Sequence, residues 1–117
     1  MSSPLRNDNY KFYQAAGVTA SENSNAVDIG GARGFSILVT LADNGSGAGS
    51  VALEGSLDGT NFVELAGTST TISFLASAQK ILFTVTDPMY KYVRIALTVS
   101  AGDMDIDGEV TIIEGAS

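Results

Sequence analysis

The sequence predicts an all-β fold, an antiparallel β-sandwich or jelly roll of about eight short strands with an extended N-terminal arm. Segments rich in Val, Ile, Thr and Phe alternate apolar with polar residues, and clusters of Gly, Asn, Asp and Ser separate them. Helical periodicity is almost absent. The 117 residues make one domain around one core, able to bury roughly two thirds of the surface that the unfolded chain exposes.

The first 14 residues are polar, contain Pro4, and gather Tyr10, Phe12 and Tyr13 around Lys11. With no periodic partner nearby, residues 1–14 read as an arm whose aromatic rings anchor on a neighbouring surface; an isolated strand is the alternative. A single sandwich domain then occupies residues 15–117. Its strands are expected at 17–20, 26–29, 35–42, 50–57, 61–65, 71–75, 80–86, 90–99 and 104–113. One short helical turn is expected at 75–79, within S-F-L-A-S-A-Q-K.

The clearest single element is V-A-L-E-G-S-L-D-G-T-N-F-V-E-L at 51–65, which reads as a β-hairpin about Asp58-Gly59. Val51, Leu53 and Gly55 share one parity, Ala52, Glu54 and Ser56 the other, and Phe62, Val63 and Leu65 resume the apolar pattern after the turn. Along 90–99 the alternation is equally regular. Lys91, Val93, Ile95, Leu97 and Val99 form the expected core face, while Tyr90, Tyr92, Arg94, Ala96 and Thr98 face outward. Arg94 is placed to stack on Tyr92 or to pair with a carboxylate across the sheet.

Near the C-terminus, Asp103, Asp105, Asp107, Gly108 and Glu114 satisfy the D-x-D-x-D-G-x5-E calcium-loop pattern. An EF-hand loop sits between two helices, whereas here an alternating β run precedes it. The segment reads better as a strand with Met104, Ile106, Val110 and Ile112 inward and Asp103, Asp105, Asp107 and Glu109 outward. No metal is expected; if calcium did bind, its ligands would come from Asp103, Asp105, Asp107 and Glu114.

Composition excludes several function classes. Without cysteine there is no disulfide framework and no thiolate metal site, and without histidine the commonest general base and metal ligand are both missing. A net charge of -7, from 13 acidic and 6 basic residues, opposes binding to a phosphate backbone. No apolar signal region opens the chain and no window approaches the ~20 apolar residues of a membrane span. The expectation is a soluble chain without a secretion signal, engaging neither nucleic acid nor membrane and needing no cofactor.

No set of residues meets the geometric requirements of an active site, so the chain is expected not to be an enzyme. Asp58 is explained by its turn. Glu54 with Glu64 is the carboxylate pair that could flank a glycosidic bond. Gly30-Gly31-Ala32-Arg33-Gly34 lies between strands with no helix start to follow, and reads as a glycine-rich crossover rather than a phosphate loop.

The 51–65 run followed by Y-K-Y-V-R-I at 90–95 resembles a pattern found in small β-sandwich proteins of tailed bacteriophage virions. It is also similar to the discoidin-like, galactose-binding type of jelly roll, with the resemblance covering residues 35–113. Discoidin-like modules bind sugars through loops rich in aromatic residues, Arg and His; this chain has no Trp, no His and short polar loops.

An acidic, cysteine-free sandwich with an aromatic arm resembles phage capsid decoration or cement proteins. That resemblance implies a protein made in the host cytoplasm and carried on the virion surface. It would bridge subunits of the major capsid protein as a homo-oligomer, commonly a trimer, and strengthen the head. Tyr10, Phe12 and Tyr13 are then the expected partner-binding residues, with Arg33 and Arg94 as polar anchors. A carbohydrate-binding or adhesive module and a head–tail connector or tail subunit are the alternatives.

Overall fold

Alternating side chains can bury one face of a strand only if a second sheet covers it, and the chain meets that demand with two sheets. The computed structural model describes residues 7–42, 47–72 and 79–114, and every regular element among them is a β-strand. These are β1 (Asn7–Val18), β2 (Glu22–Asn23), β3 (Val27–Asp28), β4 (Ala32–Ala42), β5 (Ala48–Ser56), β6 (Val63–Glu64), β7 (Thr70–Ile72), β8 (Gln79–Thr86), β9 (Tyr92–Ala101) and β10 (Met104–Glu114). One sheet has the order β1-β10-β4-β8. The other has the order β2-β9-β5-β6, with β3 also on β9 and β7 also on β5. All pairings are antiparallel.

Both sheets contribute to one apolar cluster. Phe35, Ile37, Val39 and Leu41 of β4 and Met104, Ile106 and Val110 of β10 are buried in it with Val51 and Leu53 of β5 and Val93, Ile95 and Leu97 of β9. The expected parity is observed from Val93 to Leu97 and from Met104 to Val110, with Arg94 and Thr98 outside the core and Asp105 exposed. Lys91, expected on the core face, precedes β9 and is exposed, Tyr90, expected outward, packs against the core, and on β5 Ala52 and Ser56 are buried as well as Val51 and Leu53. The all-β sandwich is therefore as expected, with ten strands among the described residues instead of about eight, β4, β5, β8 and β10 running longer than the alternation suggested and β3 and β6 shorter.

The N-terminal segment differs from its expectation. From Asn7 onward it is not an arm but β1, paired along β10 from Asn7↔Ile113 to Val18↔Met104. The physical reason is that β10 lies inside its sheet and its backbone groups need a partner on each side, β4 supplying one and β1 the other. A register shift between Lys11 and Tyr13 leaves Phe12 as an extra residue beside Gly108. There its ring lies 3.2 Å from where a Gly108 Cβ would stand, and Phe12 joins the core at 9% exposure. Residues 1–6 of the expected arm lie outside the described part, as does the helical turn expected at 75–79 apart from Gln79, which opens β8.

The expected hairpin is present, pairing Glu54↔Glu64 and Gly55↔Val63, but its connection runs through residues 57–62 instead of closing on Asp58-Gly59 alone. Asp58 organises that loop. Its Oδ1 accepts from the amides of Thr60 and Asn61, each at 2.8 Å, and from the Ser56 hydroxyl at 3.0 Å, while Oδ2 accepts from Asn61 Nδ2 at 2.8 Å. Gly59 follows at φ +81°, a backbone state that most side chains resist.

Candidate functional site

The five residues expected to meet a partner do not form one site. Tyr10 is exposed on β1, Phe12 is core, and Tyr13 is half-buried with its hydroxyl enclosed and unpartnered among the described residues. Phe12 is thus occupied by the fold, and Tyr13 is partly so. Arg33 is exposed near the start of β4. Arg94 lies on β9 in the other sheet, where its Nε donates to Glu54 Oε1 at 2.7 Å and its guanidinium sits 3.9 Å from the centre of the Phe62 ring. The cross-sheet carboxylate expected for Arg94 is Glu54. The ring beneath it is Phe62, not Tyr92, which instead lies under Lys91 at 5.8 Å.

The acidic ladder is spent locally. Asp105 Oδ1 accepts from the Gly17 amide at 2.8 Å, and Asp107 pairs with Lys11 at 3.6 Å. Among the described residues no group of three acidic side chains is gathered for a metal; the Glu114 side chain lies outside that set. Asp28 likewise occupies the glycine-rich crossover, its Oδ1 accepting from the Gly30 amide at 2.9 Å, so a carboxylate already takes the position a phosphate loop would leave for an anion.

Where β5 ends, β8 ends and β9 begins, apolar side chains stand in solvent. Leu57 is 75% exposed, Val63 71% and Met89 89%. Two adjoining clefts lie among them. The first, of about 350 Å³, is lined by Leu57, Val63, Leu65 and Tyr90 with Asp58 and Glu64 at its edge. The second, of about 700 Å³, shares Leu57 and Tyr90 and continues along Pro88 and Met89 to Asp28 and Lys91.

Tyr90 is the common wall. It packs edge-to-face on Phe35, ring centres 6.3 Å apart, and over Gly55, where a Cβ would come within 3.0 Å of both the Tyr90 ring and Leu65. Burial pushes the phenol pKa up, and its buried oxygen has no hydrogen-bond partner among the described residues. The neighbouring Asp58 is shifted the opposite way. The Asn61 amide, then the Thr60 amide, the Asn61 side chain and the Ser56 hydroxyl hold its carboxyl far below the usual range, so the cleft edge keeps a fixed negative charge.

Periodicity did not single out this end: Leu57 reads as the last apolar position of the 50–57 run although β5 stops at Ser56, and Met89 interrupts a turn sequence, D-P-M-Y, outside any alternating run. An apolar residue placed inside a polar turn is itself the signal that was available. Two of the expected anchors lie beside this end: the Asp87 amide, two residues before Met89, donates to the Arg33 carbonyl, and Arg94 stacks on Phe62, which precedes Val63.

No protein-family model matches the chain, and no curated protein matches its sequence. Solved structures do match its fold. The SPBc2 prophage-derived protein YomS superposes with a TM-score of 0.58 at 14% identity, over 95% of this chain and 97% of that one. The PBSX exported protein XepA gives 0.64 at 11% identity, over 94% of this chain and 38% of XepA. The N-terminal cellulose-binding domain of Cellulomonas fimi β-1,4-glucanase C gives 0.51 at 12% identity, over 89% and 76%. At such identities the relationship is one of fold.

Proposed function

We propose that this chain is a non-catalytic structural subunit of a phage particle that binds the outer capsid lattice and stabilises the head, as decoration or cement proteins do. The observation that carries the reading is the exposed apolar end, where Leu57, Val63 and Met89 surround a cleft edged by charge. An apolar centre with a polar rim is the anatomy of a protein–protein contact. A fold shared almost end to end with a prophage-derived protein supports the virion setting.

In this reading the partner is the major capsid protein, and the docking surface is the apolar end, not the aromatic residues of β1. Copies associate into a homo-oligomer, a trimer by the resemblance to cement proteins. The outer edge of β8, unpaired among the described residues and carrying Leu82 at 65% exposure, supports side-by-side association. Several weak contacts then act together on a repeating lattice.

The test mixes the purified protein with capsids lacking it and follows their disruption by heat or low salt. Saturable binding at lattice stoichiometry with a raised disruption temperature is expected, and loss of both in Leu57→Asp or Met89→Asp. Absence of binding by the wild-type chain overturns the proposal. A carbohydrate-binding role is the second reading, favoured by the fold match to a cellulose-binding domain. Stacking on sugars calls for open aromatic faces, and Phe62 is covered by Arg94; a glycan array decides between the two.

A further inference from the structure

We infer that the smaller cleft receives an aliphatic side chain carried next to a lysine or arginine on the partner protein. This deepens the docking reading and rests on it. The walls set the first half of the requirement: Leu57, Val63, Leu65 and the Tyr90 ring offer almost nothing polar, and about 350 Å³ lies at the small end of the range for binding pockets. An unbranched or branched alkyl group fits such walls, and its burial supplies attraction without direction.

The edge sets the second half. Asp58 and Glu64 are the charged residues lining this cleft, and both are acidic. Glu64 ends a row across the sheet, Arg94 opposite Glu54 and Glu54 opposite Glu64, on the outer face, so its carboxylate stands at the rim of β6 and not among the apolar walls. Arg94 bonds Glu54 at 2.7 Å, so the first carboxylate of the row is neutralised, while among the described residues the second has no ionic partner and is left for an arriving cation.

Asp58 contributes differently, since its oxygens are occupied by the turn and it acts through its field rather than by direct contact. The overall charge of -7 adds in the same sense. The larger cleft has Asp28 and Lys91 on its lining, one of each sign, and does not select.

The test needs no knowledge of the partner. Hexylammonium and hexanoate share an alkyl chain and differ in the sign of the head group. Each is titrated into the full chain while the NMR signals of Leu57, Val63, Leu65 and Tyr90 are followed. Hexylammonium is expected to shift these four saturably and to bind about threefold or more tighter than hexanoate. That preference shrinks in Glu64→Gln and with added salt. Leu57→Ala weakens both ions alike.

Equal binding of the two ions, or shifts at other residues only, overturns the inference. On capsids lacking the protein, Glu64→Gln is expected to bind a few-fold more weakly than wild type and with less dependence on salt. If Glu64→Gln and Val63→Ala bind capsids as tightly as wild type, this inference fails while the docking reading stands. If wild type itself does not bind, the docking reading fails, and the alkyl titration still decides the chemistry of the cleft.

Discussion

Gly108 and Ile95 face each other across the two sheets so closely that a Cβ on Gly108 would stand 2.6 Å from Ile95 Cδ1. Ile95 is fully buried, so moving its Cδ1 aside takes a rotamer change within a close-packed core. Gly108→Ala is therefore expected to lower stability by about 1–3 kcal/mol. Urea denaturation checks it, and Ile95→Val in the same chain, by removing Cδ1, is expected to recover part of the loss. An unchanged midpoint for Gly108→Ala contradicts the packing.

Arg94, Glu54 and Phe62 form a second local unit on the outer face of the other sheet. The ion pair is about three quarters shielded from solvent at both ends, so a double-mutant cycle over Arg94→Ala and Glu54→Ala is expected to give a coupling near 0.5–1 kcal/mol. Arg94→Lys is not expected to restore it, because an ammonium cannot lie flat on the Phe62 ring while reaching Glu54. A coupling indistinguishable from zero would mean that the pair does not persist in solution.

Tyr90 carries a buried hydroxyl that bonds to nothing among the described residues. Tyr90→Phe keeps the contact with Phe35 and removes the unmatched oxygen. The variant is expected to be as stable as wild type or more so, by up to about 1 kcal/mol. A clear drop in melting temperature argues that the oxygen has a partner in solution.

Asp58 gives a prediction in pH. Its folded-state pKa is depressed below the ordinary 3.8, so its contribution to stability is complete above that value and is lost as pH falls through and beneath it. Asp58→Asn is expected to destabilise most at pH 7 and progressively less toward pH 2, as the Asp58 carboxyl of the unfolded chain takes up a proton. Urea midpoints for both chains across that interval are the measurement. A gap that widens on acidification has the wrong sign.

Calcium at millimolar concentration is expected to leave the melting temperature unchanged, since Asp105 and Asp107 are committed to Gly17 and Lys11. Ligand binding to the folded state alone would raise it. Differential scanning calorimetry with calcium and with a chelator makes the comparison.

Much of the fold was legible because burial acts on alternate residues. Val93, Ile95 and Leu97 on β9 and Met104, Ile106 and Val110 on β10 lie on the face that simple parity assigns them. Parity failed at β1, where the extra residue at Phe12 breaks the alternation and the partner strand lies at the far end of the sequence. The site was less legible still. Leu57 and Met89 gain meaning only when the ends of β5 and β8 come together, and the use of Glu54 by Arg94, which leaves Glu64 without an ionic partner among the described residues, depends on a register that spacing does not specify.

The pairing of β1 with β10 has a consequence for how the protein is made. The sheet that holds Asn7 opposite Ile113 cannot close until Met104–Glu114 has left the ribosome. Until then β4 and β8 can pair, but the other edge of β4 stays open with Phe35 and Ile37 uncovered. Closure of this sheet therefore waits for its last strand to emerge and proceeds at the slow rate that distant strand pairing imposes, and the interval before closure is when this chain is most exposed to self-association.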